Sequence, residues 1–298
     1  MLENPTAWRL IPFVTILCTM LLWETLAPRR TRVESRSLRT LHNLLLTVVN
    51  SLALKLVPIL SAVGAASLAE DYHVGLLHWI DLPIWLDWVL AIVLFDLLIY
   101  WQHVAAHHVP MLWMVHRVHH ADHDLDASSG LRFHPLEILF SMLVKTLGAI
   151  VLGAPPEAIL LFEIILNGCA LFNHSNIHLP LPLERFLRVL IVTPDMHRIH
   201  HSVERDETNS NYGFNIAVWD RLFGTYRDQP RGDQATLKLG LPEYPDARQT
   251  MPVWAMLMMP FRTPMLEAEQ ATGDLSQLGP GGIGGEDALQ HGTELQQL

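Results

Sequence analysis

The stretch Asp96–His123, DLLIYWQHVAAHHVPMLWMVHRVHHADH, runs an apolar helix directly into seven histidines. It restricts the fold more than any other segment, because a helix too apolar for water must end where imidazoles are gathered. His103 and His107 stand at i, i+4, so on a helix their rings share one face with Cβ atoms roughly 5–6 Å apart. His116, His119 and His120 follow at i, i+3, i+4. Downstream, His174 and His178 repeat the first spacing, and His197, His200 and His201 repeat the second. The pattern HxxxH, HxxHH therefore occurs as two matched halves.

The chain has 298 residues, of which 50% are hydrophobic and 17% charged. Its apolar residues fall in blocks long enough to cross a bilayer, which takes about 20 residues per helix. The expected class is all-α: a polytopic membrane protein with about three transmembrane helices, a helical hairpin and a histidine-rich cap. A formal net charge of −10 leaves no basic footprint for nucleic acid. Cys18 and Cys169 both lie in apolar blocks, so they form neither a disulfide framework nor a metal pair.

Residues 9–27 read as an uncleaved first helix, since no small-residue cleavage site follows. Arg29, Arg30, Arg32, Arg36 and Arg39 come next, and a short arginine-rich loop belongs on the cytoplasmic side. That puts the N-terminus outside. A second helix, about 43–67, leads out to a Lys- and Arg-free loop ending at Leu82, and a third, about 84–103, returns with His103 at its inner end. Apolar blocks 136–153 and 157–173, separated by Gly153-Ala154-Pro155-Pro156, form a membrane hairpin. Its exit delivers His174 and His178 to the cytoplasmic face. The expected divisions are N-terminal helices over 1–95, a histidine-cluster domain over 96–230, an extension over 231–263 and a disordered tail over 264–298.

Neutral imidazole suits zinc, copper, iron and nickel, and ten histidines can serve two metal ions. His42, His73, His78 and His291 match no ligand spacing and read as structural or solvated; His108 and His123 neighbour the clusters but point off their faces. A zincin protease needs HExxH, and Val104 stands where the glutamate would be. A ferritin-like di-iron bundle needs two Glu-x-x-His motifs, and the sole instance, Glu70 to His73, is on the outer side. Membrane zinc transport remains the alternative, although transporters hold their ligands near the bilayer midplane. Asp96, Tyr100, His103 and His107 align on one helix face, so Asp96 is either an orienting partner for ligand histidines or an ion-pair partner for Lys55. Asp195, two residues before His197, is another orienting candidate. Lys145 and Glu163 lie at equal depth in the hairpin, about 14–15 Å from its base, and are expected to pair.

The stretches YWQHVAAHH, HRVHH, RFHPLE, HSNIHLP, TPDMHRIHHS and NYGFNIAVWDRLFGTY, within about 96–226, resemble the fatty acid hydroxylase superfamily, which includes sterol desaturases and C4-methyl sterol oxidases. The resemblance implies an integral membrane, non-haem di-iron enzyme that uses O₂ to hydroxylate or desaturate a lipid C–H bond. Carried over, the ligands are His103, His107, His116, His119, His120, His174, His178, His197, His200 and His201, with His134 as ligand or outer neighbour. Two iron ions are the implied cofactor, with zinc able to occupy the site in purified protein. Asn211, Trp219, Asp220 and Arg221 fall in the closing motif, with packing and loop-positioning roles. The chain carries no flavin or nicotinamide fingerprint and no cysteine ligands for an iron–sulfur cluster, so electrons are expected from a cytochrome b5-like or ferredoxin-type partner.

Overall fold

Long apolar helices dominate the computed structural model, which describes residues 5–262. The main elements are α1 (Pro5–Leu26), α2 (Arg36–Leu56), α3 (Ala62–Asp71), α4 (Ile84–His108), α5 (Pro110–His120), α6 (Pro135–Leu152), α7 (Pro156–Asn173), α8 (Leu181–Leu187) and α9 (Pro194–His200). Only isolated β-bridges, such as Pro28 with Ile177, accompany the helices among the described residues. The tail over 264–298, with His291, lies outside the described residues.

Four helices are long and apolar enough to cross a membrane: Ala7–Leu26, α4, α6 and α7. The hairpin forms as expected, with Pro135 and Pro156 at the first turns of its helices, where a missing N–H costs nothing. Gly153 ends α6 at φ +66 and packs on Gly75 at φ +116, and a Cβ on Gly75 would lie 2.3 Å from the Gly153 nitrogen. Both positions need glycine for conformation and for close approach. This contact joins the hairpin tip to the loop before α4, at the end of the bundle away from the histidines.

The second helix differs from the expected 43–67. The chain breaks over Val57–Ser61, where Pro58 interrupts the pattern, and the crossing from the histidine end to the hairpin tip is made by α2 and α3 in sequence. The burial pattern explains α2. Its inward stripe is Arg39, Asn43, Leu46 and Asn50, whereas Leu41, Leu44, Leu45, Val48 and Leu52 face outward. A helix with buried polar groups and exposed leucines is amphipathic in the inverse sense of a soluble protein, as suits one bordered by lipid. Alanines make α3 thin: Ala62, Ala65 and Ala66 bring it against Ala149 of α6 and Phe162 of α7, the latter stacked edge-on to Phe95 of α4 at 5.3 Å.

The arginines of the loop expected on the cytoplasmic side are largely paired with acids of the protein itself. Arg36 reaches Glu24 at 3.2 Å, Arg29 reaches Asp195 at 3.2 Å, and Arg39 is 1% exposed. Residues beyond 230 close the cap: Leu237 and Leu239 pack on Leu125, and Met256 and Met259 on Val118 and Ala121.

Candidate metal centre

The histidine boxes sit on short helices whose starts are set locally. Pro110 opens α5 and Pro194 opens α9, where the Thr193 hydroxyl also accepts the Met196 N–H. Each helix is long enough to put i, i+3 and i+4 on one side. Nine of the ten predicted histidines converge in two groups, one of His103, His107, His116, His120 and His200, the other of His119, His174, His197 and His201, with ring nitrogens inside each group within 4.8 Å of one another. The two HxxHH boxes are shared crosswise. In His116–His120 the i, i+4 pair enters the first group and His119 the second, while in His197–His201 the pair enters the second group and His200 the first. Rings of the two groups touch, with His120 stacked on His201 at 4.4 Å.

His178 is not in either group. Helix α7 ends at Asn173, so the i, i+4 geometry is lost; the exposed His178 lies on an extended segment whose backbone N–H donates to the Ala27 carbonyl at 2.9 Å. The second half of the pattern therefore contributes four histidines to the groups and the first half five.

The ring protons can be placed from their partners. His103 Nδ1 is 2.8 Å from the Tyr212 carbonyl, His200 Nδ1 2.7 Å from the Ser210 carbonyl, and His174 Nδ1 2.7 Å from the Ala170 carbonyl. A carbonyl only accepts, so each Nδ1 carries the proton and each Nε2 presents a lone pair. Yet His103 Nε2 and His200 Nε2 are 3.0 Å apart, and His174 Nε2 lies 3.0 Å from both His119 Nε2 and His197 Nε2. Two facing lone pairs cannot hydrogen-bond, and one lone pair cannot satisfy two neighbours. A metal–nitrogen bond of about 2.1 Å puts ligands at right angles about 3.0 Å apart, and tetrahedral ones about 3.4 Å apart. The spacing fits a metal ion with ligands at right angles. Buried Nε2 atoms of His107, His116, His120 and His201 likewise have no hydrogen-bond partner.

Burial, reinforced by neighbouring imidazoles, holds His119, His120, His197 and His201 well below the usual histidine range. Burial brings His200 to about 3 and His174 to about 4, each against its carbonyl hydrogen bond. The rings are thus neutral near pH 7, which is the ligand form, and no shared proton bridges them.

Around the groups, Glu137 meets His116 Nδ1 at 2.6 Å and Phe133 stacks on His119 at 4.3 Å. The carbonyls that hold His103 and His200 flank Asn211, which sits at φ +53 and donates to the Met196 and Arg227 carbonyls at 3.0 Å each. Asp220 accepts the Tyr212 and Gly213 N–H groups at 2.7 and 2.8 Å. Asp96 does not meet Lys55: it accepts the Trp219 indole N–H at 2.7 Å and the Ile216 N–H at 3.2 Å. Tyr100 bonds the Thr225 hydroxyl at 2.9 Å. Both thus reach the histidines through the 212–225 segment rather than by contact. His134 is outside the groups; it caps α6 by accepting the Leu136 N–H at 3.1 Å and lies 3.3 Å from the Leu257 carbonyl. Asp195 is held by Arg29 and Arg198 and makes no hydrogen bond to a histidine among the described residues. Two unassigned histidines are cap fasteners: His123 Nε2 donates to the Tyr244 carbonyl at 2.7 Å, and His108 Nε2 bonds the Tyr212 hydroxyl at 3.1 Å.

Beneath His103 and His116 opens a cavity of about 540 Å³ between α1, α2, α4, α6 and α7, walled by side chains such as Ile99, Phe133 and Leu166. At its far side the expected Lys145–Glu163 pair is replaced. Arg9 of α1 donates to Glu163 Oε2 through Nε at 3.0 Å and Nη2 at 2.7 Å, and Lys145 has no ion pair within 4.0 Å among the described residues. A third helix, α1, supplies the partner of Glu163 in place of Lys145.

Helices of membrane length carrying two adjacent nitrogen-lined groups define a membrane protein with two clusters that could hold metal at one end of its bundle. Residues 88–225 match the fatty acid hydroxylase family. The match covers a little under half of the chain and includes both HxxHH boxes. The chain is 28% identical over 235 residues to the ornithine lipid hydroxylase of Rhizobium tropici, covering 75% of this chain and 68% of the relative. It is 32% identical over 161 residues to the human alkylglycerol monooxygenase, covering 53% and 34%, and 30% identical over 161 residues to a very-long-chain aldehyde decarbonylase of Oryza sativa subsp. indica, covering 52% and 59%. The chain thus spans about two thirds of the first relative and about a third of the second. No solved structure matches it.

Proposed function

We propose that the protein is a membrane-bound, non-haem di-iron oxygenase that hydroxylates a C–H bond of a lipid. The observation that carries this reading is the pair of facing Nε2 lone pairs of His103 and His200, 3.0 Å apart, with the single His174 lone pair 3.0 Å from two further rings, an arrangement that a cation in each group satisfies. Iron bound in both groups supplies the O₂ activation that attack on an unactivated C–H bond requires. His103, His107, His116, His120 and His200 hold one ion, and His119, His174, His197 and His201 the other, with His178 left out of the ligand set. Glu137 and the Ala170, Ser210 and Tyr212 carbonyls fix ring orientation and tautomer. The apolar cavity holds the lipid beneath His103 and His116 and keeps water from the reacting carbon.

Hydroxylation is favoured over desaturation because the relatives are named as a hydroxylase and a monooxygenase. The reaction converts C–H to C–O–H, and the second oxygen atom leaves as water with an electron pair and two protons. In this reading the electron pair comes from a cytochrome b5-like or ferredoxin-type partner docking at a cytoplasmic histidine end, with the N-terminus outside, an orientation supported by the arginine-rich 29–39 segment. Zinc transport fits less well, since the histidines lie at one end of the bundle with His174, His197, His200 and His201 at 0% exposure, offering no path onward.

The test is a comparison of lipids from cells with and without the protein, followed by assay of iron-loaded protein with O₂ and reductant. A lipid gaining one oxygen atom, in wild type but not in His120→Ala, is expected. Zinc flux into liposomes without O₂ or reductant, and no oxygenated lipid, would overturn the reading.

A further inference from the structure

Lys145 stands out in the cavity as a charge that makes no ion pair or hydrogen bond among the described residues. The nearest acid, Glu163, is taken by a double hydrogen bond from Arg9, so these three side chains together carry one net positive charge inside the membrane-length bundle. Lys145 lines the same cavity as His103 and His116, together with Arg9, Ser141 and Asn167. A cation in such a place is costly, which makes it a ligand site by default. Its distance from the histidines follows from the helices. Glu137 touches His116, and Lys145 follows on α6 after eight residues, about 12 Å along the axis; Ala170 touches His174, and Glu163 precedes it on α7 by seven, about 10 Å. Apolar side chains of Ile99, Leu131 and Phe133 line the space between.

We infer that Lys145 recognises an anionic group, a carboxylate or a phosphate, on the lipid, and that the apolar chain beyond it spans roughly 10–12 Å to present a C–H bond beneath His103 and His116. Lys145 is thus a specificity-determining residue, and the substrate class is an anionic amphiphile. The inference rests on the oxygenase reading only for what happens at the histidine end; recognition itself is a binding property.

It is tested by equilibrium binding of radiolabelled dodecanoate, dodecyl phosphate and 1-dodecanol to the metal-loaded full chain in zwitterionic nanodiscs, without reductant, so that a failed oxygenation assay leaves the result intact. At least one anion is expected to bind about tenfold or more tightly than the alcohol, the factor one charge-assisted hydrogen bond supplies. The tighter of the two anions identifies the group. Lys145→Met should bring the anion-to-alcohol ratio close to one without loss of bound metal, and Lys145→Arg should retain the preference. Equal binding of all three probes to wild type, or an unchanged preference in Lys145→Met, would overturn the inference.

Discussion

A single imidazole nitrogen decides most of what this protein can do, because the Nδ1 partner fixes which lone pair faces inward. His120→Ala or His107→Ala removes a ligand with no substitute nearby and is expected to lower bound metal and abolish lipid oxygenation, whereas His178→Ala should retain both, read by metal analysis and product formation. Had His178→Ala lost metal, the five-and-four division would be wrong. Glu137→Ala frees the His116 ring and should weaken metal binding by about 10–100-fold, while Glu137→Gln keeps an acceptor and most of the affinity. The convergence of nine histidines was legible because helical spacing puts i, i+3 and i+4 on one side, but the division of each HxxHH box between two groups was not. Glu137 was not: in HPLE the histidine draws attention, but His134 precedes the N1 proline and is spent as a cap, while Glu137 at the third helical position turns to the cluster. The carbonyls of Ala170, Ser210 and Tyr212 carry no side-chain signal at all. Only NYGFN, with Asn211 in the left-handed region, hinted that a turn is held there for a reason.

At the level of the element, α2 carries the argument. Leucines scattered over its length read as a crossing helix, yet its buried stripe is polar and fastens the cap. Arg39 donates to both carboxylate oxygens of Asp122, at 2.9 and 2.7 Å, and to Asp126 at 2.7 Å. Burial alone would raise the Asp122 carboxyl; Arg39 overrides it and brings the group to about 2. Asp122 follows His120 by two residues, so this fork sets where α5 ends. Arg39→Met strands two buried carboxylates and should cost about 3–5 kcal/mol in denaturation, with loss of metal, whereas the triple change with Asp122→Asn and Asp126→Asn should recover part of the stability. Equal stability of Arg39→Met and wild type would show that the fork does not hold the cap. The sequence indicated where the arginines lie but not that they are internal, since a local count cannot see an acid about 80 residues away.

At the scale of the whole molecule, four membrane-length helices and the Gly75–Gly153 contact separate the hairpin tip from the histidine end. In a Cys18→Ser, Cys169→Ser background, Asp71→Cys is expected to react with an impermeant thiol reagent on intact cells, and Arg231→Cys, exposed on the cap, only after permeabilisation. The reverse pattern would invert the orientation, and labelling of both from one side would mean that the bundle does not span. Stability against pH tests the two metal groups together. His174 and His200 titrate at about 4 and 3 in the fold, and histidines of an unfolded chain at about 6.5. Between those values the unfolded chain binds protons that the folded chain refuses, so the metal-free protein is at full stability above pH 6.5 and loses it as pH falls, by at most about 1.4 kcal/mol per pH unit for each such histidine. Because these rings stay neutral well below the usual histidine range, taking up metal at about pH 5.5, where ordinary histidines are largely charged, should release almost no protons. Calorimetry in two buffers of different ionisation enthalpy reads that number directly. A release near one proton per histidine would mean that the rings are charged before metal arrives, and the buried, preformed pair of sites described above would not exist in the metal-free protein.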